Sequence, residues 1–277
     1  MIGPSTLLLS IPLILRYPRS WLIFEVLLIL SRRPGRSSLS LITRPLSLLP
    51  GTISPPRWFL LFDIILRDEL RKRSSWVLSL YGAGGSGKTT LGLFLMDKWF
   101  RDDELAFFRY PPKAMASLPD RMRCRSKSFT RMDQIIGSPH LVFLDDTALH
   151  FLSRQTSNKD NQDLVKQLTI ARHNNQRFII TAQNSILVDK GLFESLDQFS
   201  LRCRMTDFQA RTERPEFIDT QLKVNDLISS LPETKGRYWY CMESGELFCF
   251  PGWPDMNESL SKPYQGVTVS NGQLEGL

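Results

Sequence analysis

Short apolar runs alternate with segments of helical spacing between residues 76 and 205. The apolar runs are continuous, which is typical of strands in a parallel sheet that helices cover on both faces. We therefore predict an α/β fold with a doubly wound, mostly parallel sheet. The predicted strands are 76–81, 105–110, 141–144, 177–181 and 199–205, and the predicted helices are 88–100, 162–173 and a short one near 192–196.

A different pattern follows the predicted sheet. A polar helix is predicted over 215–229. Two short segments rich in aromatic residues, 238–241 and 247–250, flank a turn at 243–245 and predict a β-hairpin. The tail beyond Trp253 is rich in Ser, Gly and Pro, so we expect it to be flexible.

The first 55 residues differ from the rest of the chain. They are crowded with Leu, Ser, Pro and Arg and contain no Lys. Two apolar runs, 6–15 and 21–30, are each shorter than the roughly 20 residues that a membrane-spanning helix needs. Three interpretations remain open: a disordered leader or translation artefact, an interfacial membrane anchor within residues 1–30, and an unrecognised helical module.

These patterns divide the chain into four segments. A leader occupies 1–55, and a basic lead-in helix is predicted over 56–75, where apolar residues recur at helical spacing before a cluster of cations at 71–73. The main α/β domain covers 76–232. The hairpin and the flexible tail occupy 233–277.

Charge is distributed unevenly between these segments. The formal net charge is +7, and residues 1–75 account for it with eleven Lys and Arg against four Asp and Glu, whereas residues 76–277 hold 24 of each. The basic composition therefore does not indicate that the main domain binds nucleic acid.

Four cysteines without CxxC spacing and three scattered histidines form no zinc motif, so we expect a reducing, cytoplasmic setting.

A glycine-rich motif lies between the first predicted strand and the first predicted helix. It satisfies GxxxxGK[ST], and its strand-loop-helix context is the one that the motif needs to bind a nucleotide. Backbone amides and the helix N-terminus cradle the phosphates of ATP, the lysine bridges them, and the hydroxyl after the lysine ligates Mg²⁺. The candidate nucleotide-binding residues are Gly82, Ala83, Gly84, Gly85, Ser86, Gly87, Lys88, Thr89 and Thr90, with Lys88 also catalytic and Thr89 also a metal ligand.

Two carboxylates follow the third predicted strand and resemble a Walker B motif. Asp145 is the predicted metal ligand, because it stands directly at the strand's end. Asp146 is the predicted base that polarises the attacking water. An Asp stands here where many hydrolysing P-loop ATPases carry Glu. Together with the P-loop, this element predicts a P-loop NTPase of the RecA/ASCE type.

Two further residues are catalytic candidates. Gln183 follows the strand 177–181 and is predicted to contact the γ-phosphate or the attacking water. The simpler alternative for this region is that Asn184 caps the next helix. Arg172 is a candidate arginine finger for a neighbouring subunit, although a cation at a helix C-terminus also complements the helix dipole.

The order of these elements resembles the FtsK/HerA superfamily of DNA-pumping ATPases, and within it the viral genome-packaging ATPases, in which an Asp-Asp Walker B is familiar. The resemblance covers about residues 76–205. It implies a homo-oligomeric ring, usually a hexamer, that moves double-stranded DNA through a central pore. It also implies a capsid or portal partner, and a place in the host cytoplasm or the virion.

The best local candidate for a DNA contact is a basic segment between the second and third predicted strands. Arg121, Arg123 and Arg125 alternate there and are predicted to touch successive phosphates from a pore-facing loop. A solvated loop face is the alternative.

Other functions remain open. A membrane-linked export or phage-morphogenesis ATPase similar to the zonula occludens toxin family would use the leader as its anchor. A small-molecule kinase would use the linker arginines as a lid over its second substrate. A nucleotide-gated scaffold without hydrolysis is a further alternative.

Overall fold

The computed structural model describes residues 66–135, 141–150, 159–187, 198–231, 237–270 and 273–275, all within one compact unit, Leu49–Leu277. The leader 1–55 and the short helix predicted near 192–196 lie outside the described residues. The lead-in helix is described in part, and residues 66–71 are helical as predicted. We call this helix α1.

Regular elements follow the predicted order closely. The predicted strands 76–81 and 141–144 and the predicted helix 215–229 have the observed bounds, and the other predicted elements within the described residues shift by one to three residues at one or both ends. The strands are β1 (Trp76–Tyr81), β2 (Leu105–Phe108), β3 (Ser126–Phe129), β4 (Leu141–Leu144), β5 (Arg177–Ala182), β6 (Gln198–Arg202), β7 (Arg237–Cys241), β8 (Glu246–Phe250), β9 (Thr268–Ser270) and β10 (Gln273–Glu275). The helices are α2 (Lys88–Trp99), α3 (Pro112–Ala116), α4 (Asp120–Arg123), α5 (Lys159–Ala171), α6 (Asp207–Arg211), α7 (Pro215–Ser229) and α8 (Glu258–Ser261), with 3-10 turns at Met132–Ile135, Thr147–Leu149 and Ser185–Leu187.

An eight-stranded sheet forms the centre of the unit, in the order β3-β2-β4-β5-β1-β6-β7-β8. All neighbours from β3 to β6 pair in parallel. Apolar side chains of α2 join one buried cluster, and those of α5 join another that includes the alternate residues of β1. Helices therefore cover both faces, and the predicted α/β P-loop fold is confirmed.

The C-terminal hairpin extends the sheet. β7 pairs antiparallel with β6 and with β8, so the predicted hairpin adds two strands to one side of the main sheet, with β8 at its edge. Trp239 of β7 and Phe248 of β8 are buried in the same apolar cluster as α2. Cys241 and Cys249 are buried and form no disulfide with each other, and they are not opposite each other, since their cross-strand partners are Glu246 and Tyr238.

The basic segment is not the open loop that its charge pattern predicted. Arg121 and Arg123 lie in or at the end of α4, and Arg125 directly precedes β3. Arg121 donates to both carboxylate oxygens of Asp97, at 2.7 and 2.8 Å, and also to Asp255. The other two arginines are also occupied by the protein's own oxygens: Arg123 bonds to Asp120 and the carbonyl of Ala116, and Arg125 bonds to the carbonyls of Met96, Phe100 and Asp103.

Residues beyond Trp253 differ from the flexible tail that composition predicted. Trp253 and Leu260 are buried against the cluster that contains α2, and α8 packs on α2 and α3. Two buried side chains in a short segment hold it against the domain, which local composition could not indicate. Among the described residues, no helix is both long and apolar enough to cross a membrane.

Candidate functional site

The loop between β1 and α2 has the geometry of a phosphate cradle. Gly85 and Gly87 adopt positive φ angles of 72° and 87°, a conformation that glycine reaches without steric cost. A Cβ added at Gly84 or Gly85 would meet no atom within 4 Å, so this side of the loop is open. The loop leads into the N-terminus of α2, where backbone amides and the helix dipole favour an anion.

Lys88 lies inside this loop. Its Nζ donates to the carbonyls of Gly82 and Ala83, at 2.9 and 3.0 Å. Burial lowers its pKa, and the carboxylates of Asp146 and Asp145 act in the opposite direction. The ammonium is thus held close to the open side of the loop by weak carbonyl partners that a phosphate can replace.

Asp145 follows β4 and collects two hydroxyl donors. Thr89 Oγ1, in the first turn of α2, lies 2.9 Å from Asp145 Oδ1, and Thr181 Oγ1, at the end of β5, lies 2.8 Å from the same oxygen. The Asp145 side chain is almost fully buried. Burial raises its pKa to about 6 against the effect of these hydrogen bonds, so a cation at this position would relieve an electrostatic penalty.

Asp146 takes an uncommon backbone conformation. Its φ is 46°, in the left-handed region, and its N–H donates to Thr181 Oγ1 at 2.8 Å. Burial raises the pKa of its carboxyl, and the charge of Lys88 opposes the shift. Thr181 therefore contacts both aspartates: its hydroxyl donates to the carboxylate of Asp145 and accepts from the backbone N–H of Asp146. The sequence analysis placed Thr181 only at the end of the predicted strand 177–181 and did not predict that it would contact both aspartates.

A cavity of about 290 Å³ opens above these groups. Six residues of the predicted P-loop and Walker B motifs line this cavity. Thr181, at the end of β5, lines it as well. The remaining P-loop candidates Gly82, Ala83, Ser86 and Gly87, and Thr90 in the first turn of α2, do not line it. The six are Gly84, Gly85, Lys88, Thr89, Asp145 and Asp146.

Gln183 also lines this cavity, as its position after β5 predicted. Its side chain is exposed, and its Oε1 accepts from Gln209 Nε2 of α6 at 3.3 Å. Asn184 is buried, and its Oδ1 has no hydrogen-bond partner among the described residues, so the capping alternative gains no support. The role of Gln183 in catalysis stays a prediction.

Arg172 lies far from the cavity of its own chain. It is exposed and directly follows α5, a few residues before Arg177 at the start of β5. Arg177 pairs with Trp76 at the start of β1, whereas the P-loop follows the end of β1. Arg172 is therefore at the opposite edge of the sheet, so a catalytic role for it would have to be toward another subunit, and complementation of the dipole of α5 stays the alternative.

Sequence reasoning missed two contributors to the site. Residues Ser261–Gln265 line the same cavity as the P-loop, although they belong to the tail that was predicted to be flexible. Arg237, at the start of β7, places its Cδ 3.0 Å from where a Cβ on Gly87 would be. Residues Ser261–Gln265 were missed because their segment is rich in Ser, Gly and Pro. Arg237 was missed because its position depends on the pairing of β7 with the sheet.

The donor set fits Mg-ATP. Among the described residues there is no group of three or more His, Cys, Asp or Glu that would hold a metal ion by itself. Mg²⁺ is commonly bound by one or two carboxylates together with phosphate oxygens and water. Asp145 and the Thr89 hydroxyl, beside an open phosphate cradle, match that type of site.

No protein-family model matches this chain, and no curated protein matches its sequence. Solved structures do resemble it. The genome packaging NTPase B204 from Sulfolobus turreted icosahedral virus 2, in complex with AMPPCP, is 11% identical with a TM-score of 0.43, over 64% of this chain and 98% of that one. The N-terminal domain of zonular occludens toxin from Neisseria meningitidis is 13% identical with a TM-score of 0.39, over 69% and 97%.

The conjugation coupling protein TcpA of pCW3, with ATPγS, is 11% identical with a TM-score of 0.43, over 68% of this chain and 62% of that one. Two of these structural neighbours were solved with a nucleotide analogue, AMPPCP and ATPγS. At such identities the likeness concerns the fold, and we transfer no residue role from it.

Proposed function

We propose that this protein binds Mg-ATP in the cavity above β4 and β5 and hydrolyses it. One observation carries the proposal: hydroxyls from the P-loop helix and from β5 converge on the buried carboxylate of Asp145, next to Lys88. A structural core would have no need for a desolvated carboxylate whose pKa is raised, and such groups concentrate at functional sites.

Each residue has a defined part in this reaction. Backbone amides of the P-loop and the ammonium of Lys88 bind the β- and γ-phosphates. Thr89 and Asp145 hold Mg²⁺, Asp145 through its water shell. The ion, when bound, neutralises charge on the phosphates during transfer. Asp146 orients and deprotonates the attacking water.

Gln183 orients the same water from the other side of the cavity. Thr181 is a positioning residue, because it bonds to the carboxylate of Asp145 and to the backbone of Asp146. It thereby fixes the position of the metal ligand Asp145 relative to the base Asp146.

The work done by hydrolysis is, in our proposal, translocation of double-stranded DNA by a homo-oligomeric ring, most simply a hexamer, in viral genome packaging. The motif order and the Asp-Asp Walker B support this assignment through the resemblance described above. Arg172, exposed at the far edge of the sheet, would then serve a neighbouring subunit's nucleotide. A capsid or portal would be the further partner, and the motor would act in the host cytoplasm.

The basic segment no longer supports this proposal. Because Arg121 and Arg125 are occupied by Asp97, Asp255 and main-chain carbonyls, they present little free charge to DNA. The same contacts remove the arginine lid that a small-molecule kinase would need. A membrane-linked export ATPase remains the second candidate function, since it would use the same Mg-ATP site.

Stimulation of ATP turnover separates these functions. We expect duplex DNA to raise the rate of the wild-type protein several-fold, with single-stranded DNA and RNA less effective. The measurement is phosphate release at saturating Mg-ATP with equal nucleotide concentrations of each polymer. Equal rates with and without each of the three polymers would contradict translocation but not the proposed ATP hydrolysis.

Arg172→Ala should abolish the stimulated turnover without changing ATP affinity, because Arg172 acts on the nucleotide of a neighbouring subunit.

A further inference from the structure

A strap, defined as residues 253–265, runs along the P-loop helix α2 from its C-terminal end to the nucleotide cavity. Its first fixed point is Asp97, which is almost fully buried near the end of α2. Trp253 Nε1 lies 3.2 Å from Asp97 Oδ2, and Arg121 bridges Asp97 and Asp255. The strap is therefore tied to the helix that begins at the P-loop.

The middle of the strap is also held. Asn257 caps α8 by accepting from the N–H of Leu260 at 3.0 Å, and Leu260 is completely buried. The N–H of Lys262 donates to the carbonyl of Glu258 at 3.0 Å, which fixes the backbone of Lys262 at the end of α8. Pro263 follows and restricts the next φ angle.

The far end of the strap touches the Walker B loop. Tyr264 Oη donates to the carbonyl of Asp145 and contacts His150 Nε2, each at 3.3 Å. The Tyr264 ring packs edge-on against those of Tyr110 and His150, with centroids 6.3 and 5.8 Å away. Lys262 thus lies between two anchored points and lines the same cavity as Asp145 and Asp146.

The charge of the cavity leaves a role for this lysine. Among the described residues that line it, Lys88 and Lys262 are the cations, and Asp145 and Asp146 are the anions. The lining is therefore neutral before a polyanionic nucleotide enters. Lys262 is exposed, and in the part of the chain that the structure describes its ammonium forms no salt bridge or hydrogen bond. An ammonium that lines the cavity and has no protein partner among these residues is available to form a charge-assisted hydrogen bond with a phosphate.

We propose that Lys262 binds the γ-phosphate of Mg-ATP, so that the strap supplies a second cation to the P-loop site from the side opposite Lys88. This inference rests on the proposed ATP binding and adds the residue that distinguishes ATP from ADP. A γ-phosphate contact favours the triphosphate alone, whereas Lys88 and the P-loop amides grip both nucleotides through the β-phosphate.

Nucleotide affinity tests the role of Lys262 without relying on turnover. Dissociation constants are measured for Mg-AMPPNP and Mg-ADP by competition with a fluorescent nucleotide. Lys262→Ala should weaken AMPPNP binding by about tenfold or more, the usual loss for one charge-assisted hydrogen bond, and ADP binding by less than about twofold. Lys262→Arg should retain affinity within about threefold, because it keeps the charge.

Lys113→Ala is the matched control. Lys113 shares a neighbouring surface cavity with Lys262 but does not line the nucleotide cavity, so both affinities should stay at the wild-type level. Equal affinities of wild type and Lys262→Ala for AMPPNP would overturn the inference, and so would equal losses for AMPPNP and ADP. Failure of the wild type to bind either nucleotide would instead refute the proposed function. Should Lys262→Ala not fold, Lys262→Gln keeps part of the side-chain stem, removes the charge and carries the same expectation.

Discussion

Acid sensitivity at His150 gives a prediction that can be worked out in numbers. His150 is buried, and its ring lies 5.4 Å from that of Phe108. Burial, with a smaller contribution from the charge of Arg109, lowers its pKa to about 3. The imidazole is therefore neutral in the folded protein and becomes charged in the unfolded chain below its ordinary pKa of 6.5.

The sign of the effect follows from proton binding. Between pH 6.5 and pH 3 the unfolded chain binds more protons at this residue, so the free energy of unfolding falls as the pH falls. From pH 7.5 to pH 5.0 the loss from His150 alone is about 2 kcal/mol. Asp145 acts in the opposite direction, because its raised pKa favours the folded state below pH 6.

A comparison of variants isolates the histidine from Asp145 and other groups. His150→Phe keeps a ring against Phe108 and removes the titrating nitrogen, and unfolding by urea is followed at pH 7.5 and pH 5.0. The wild type should lose about 2 kcal/mol more than His150→Phe between these pH values. His173→Gln, at an exposed histidine, is the control and should behave as wild type. An equal pH dependence for wild type and His150→Phe would refute the reasoning.

Three further predictions concern packing and chemistry. Gly92→Ala should destabilise the protein by about 1–3 kcal/mol in urea unfolding, because its Cβ would lie 2.6 Å from the Phe143 ring; a loss below about 0.5 kcal/mol would show that α2 can shift away from β4. Arg121→Ala should cost about 1–2 kcal/mol by the same assay and weaken AMPPNP binding through the strap, whereas Arg123→Ala, whose carboxylate partner is exposed, should cost less than about 0.5 kcal/mol. Asp146→Asn should bind ATP with wild-type affinity and fail to release phosphate in single-turnover experiments; normal release would assign the attacking water to another group.

The sequence predicted those parts of the site that depend on local pattern. A buried strand, a loop with glycines at the positions of positive φ, and a helix opening with Lys88 occur consecutively in the chain, so one short segment defines the phosphate cradle. Asp145 was placed correctly because it terminates an apolar strand. Because β1, β5 and β4 run parallel, the start of α2 and the end of β4 lie at the same edge of the sheet. Thr89 Oγ1 therefore comes within 2.9 Å of Asp145 Oδ1.

Features that depend on distant partners could not be predicted in this way. The Asp97 and Asp255 partners of Arg121 are 24 and 134 residues away in the chain, so the arginine's charge suggested a solvent-facing role until those carboxylates were located. β3 was missed because Ser126–Phe129 is an edge strand with a mostly polar, part-exposed pattern. The strap was missed because two buried anchors outweigh the surrounding Ser, Gly and Pro.

The central claim is that Lys88, Thr89 and Asp145 form a site that hydrolyses Mg-ATP. The most direct measurement is phosphate release from ATP by the purified wild-type protein, with Mg²⁺ and with EDTA, beside Lys88→Ala and Asp145→Asn. We predict turnover that requires Mg²⁺ and falls by at least about 100-fold in each variant, with both variants folded by thermal melting. Turnover in EDTA at the Mg²⁺ rate, or turnover in folded Lys88→Ala within about threefold of wild type, would contradict the account.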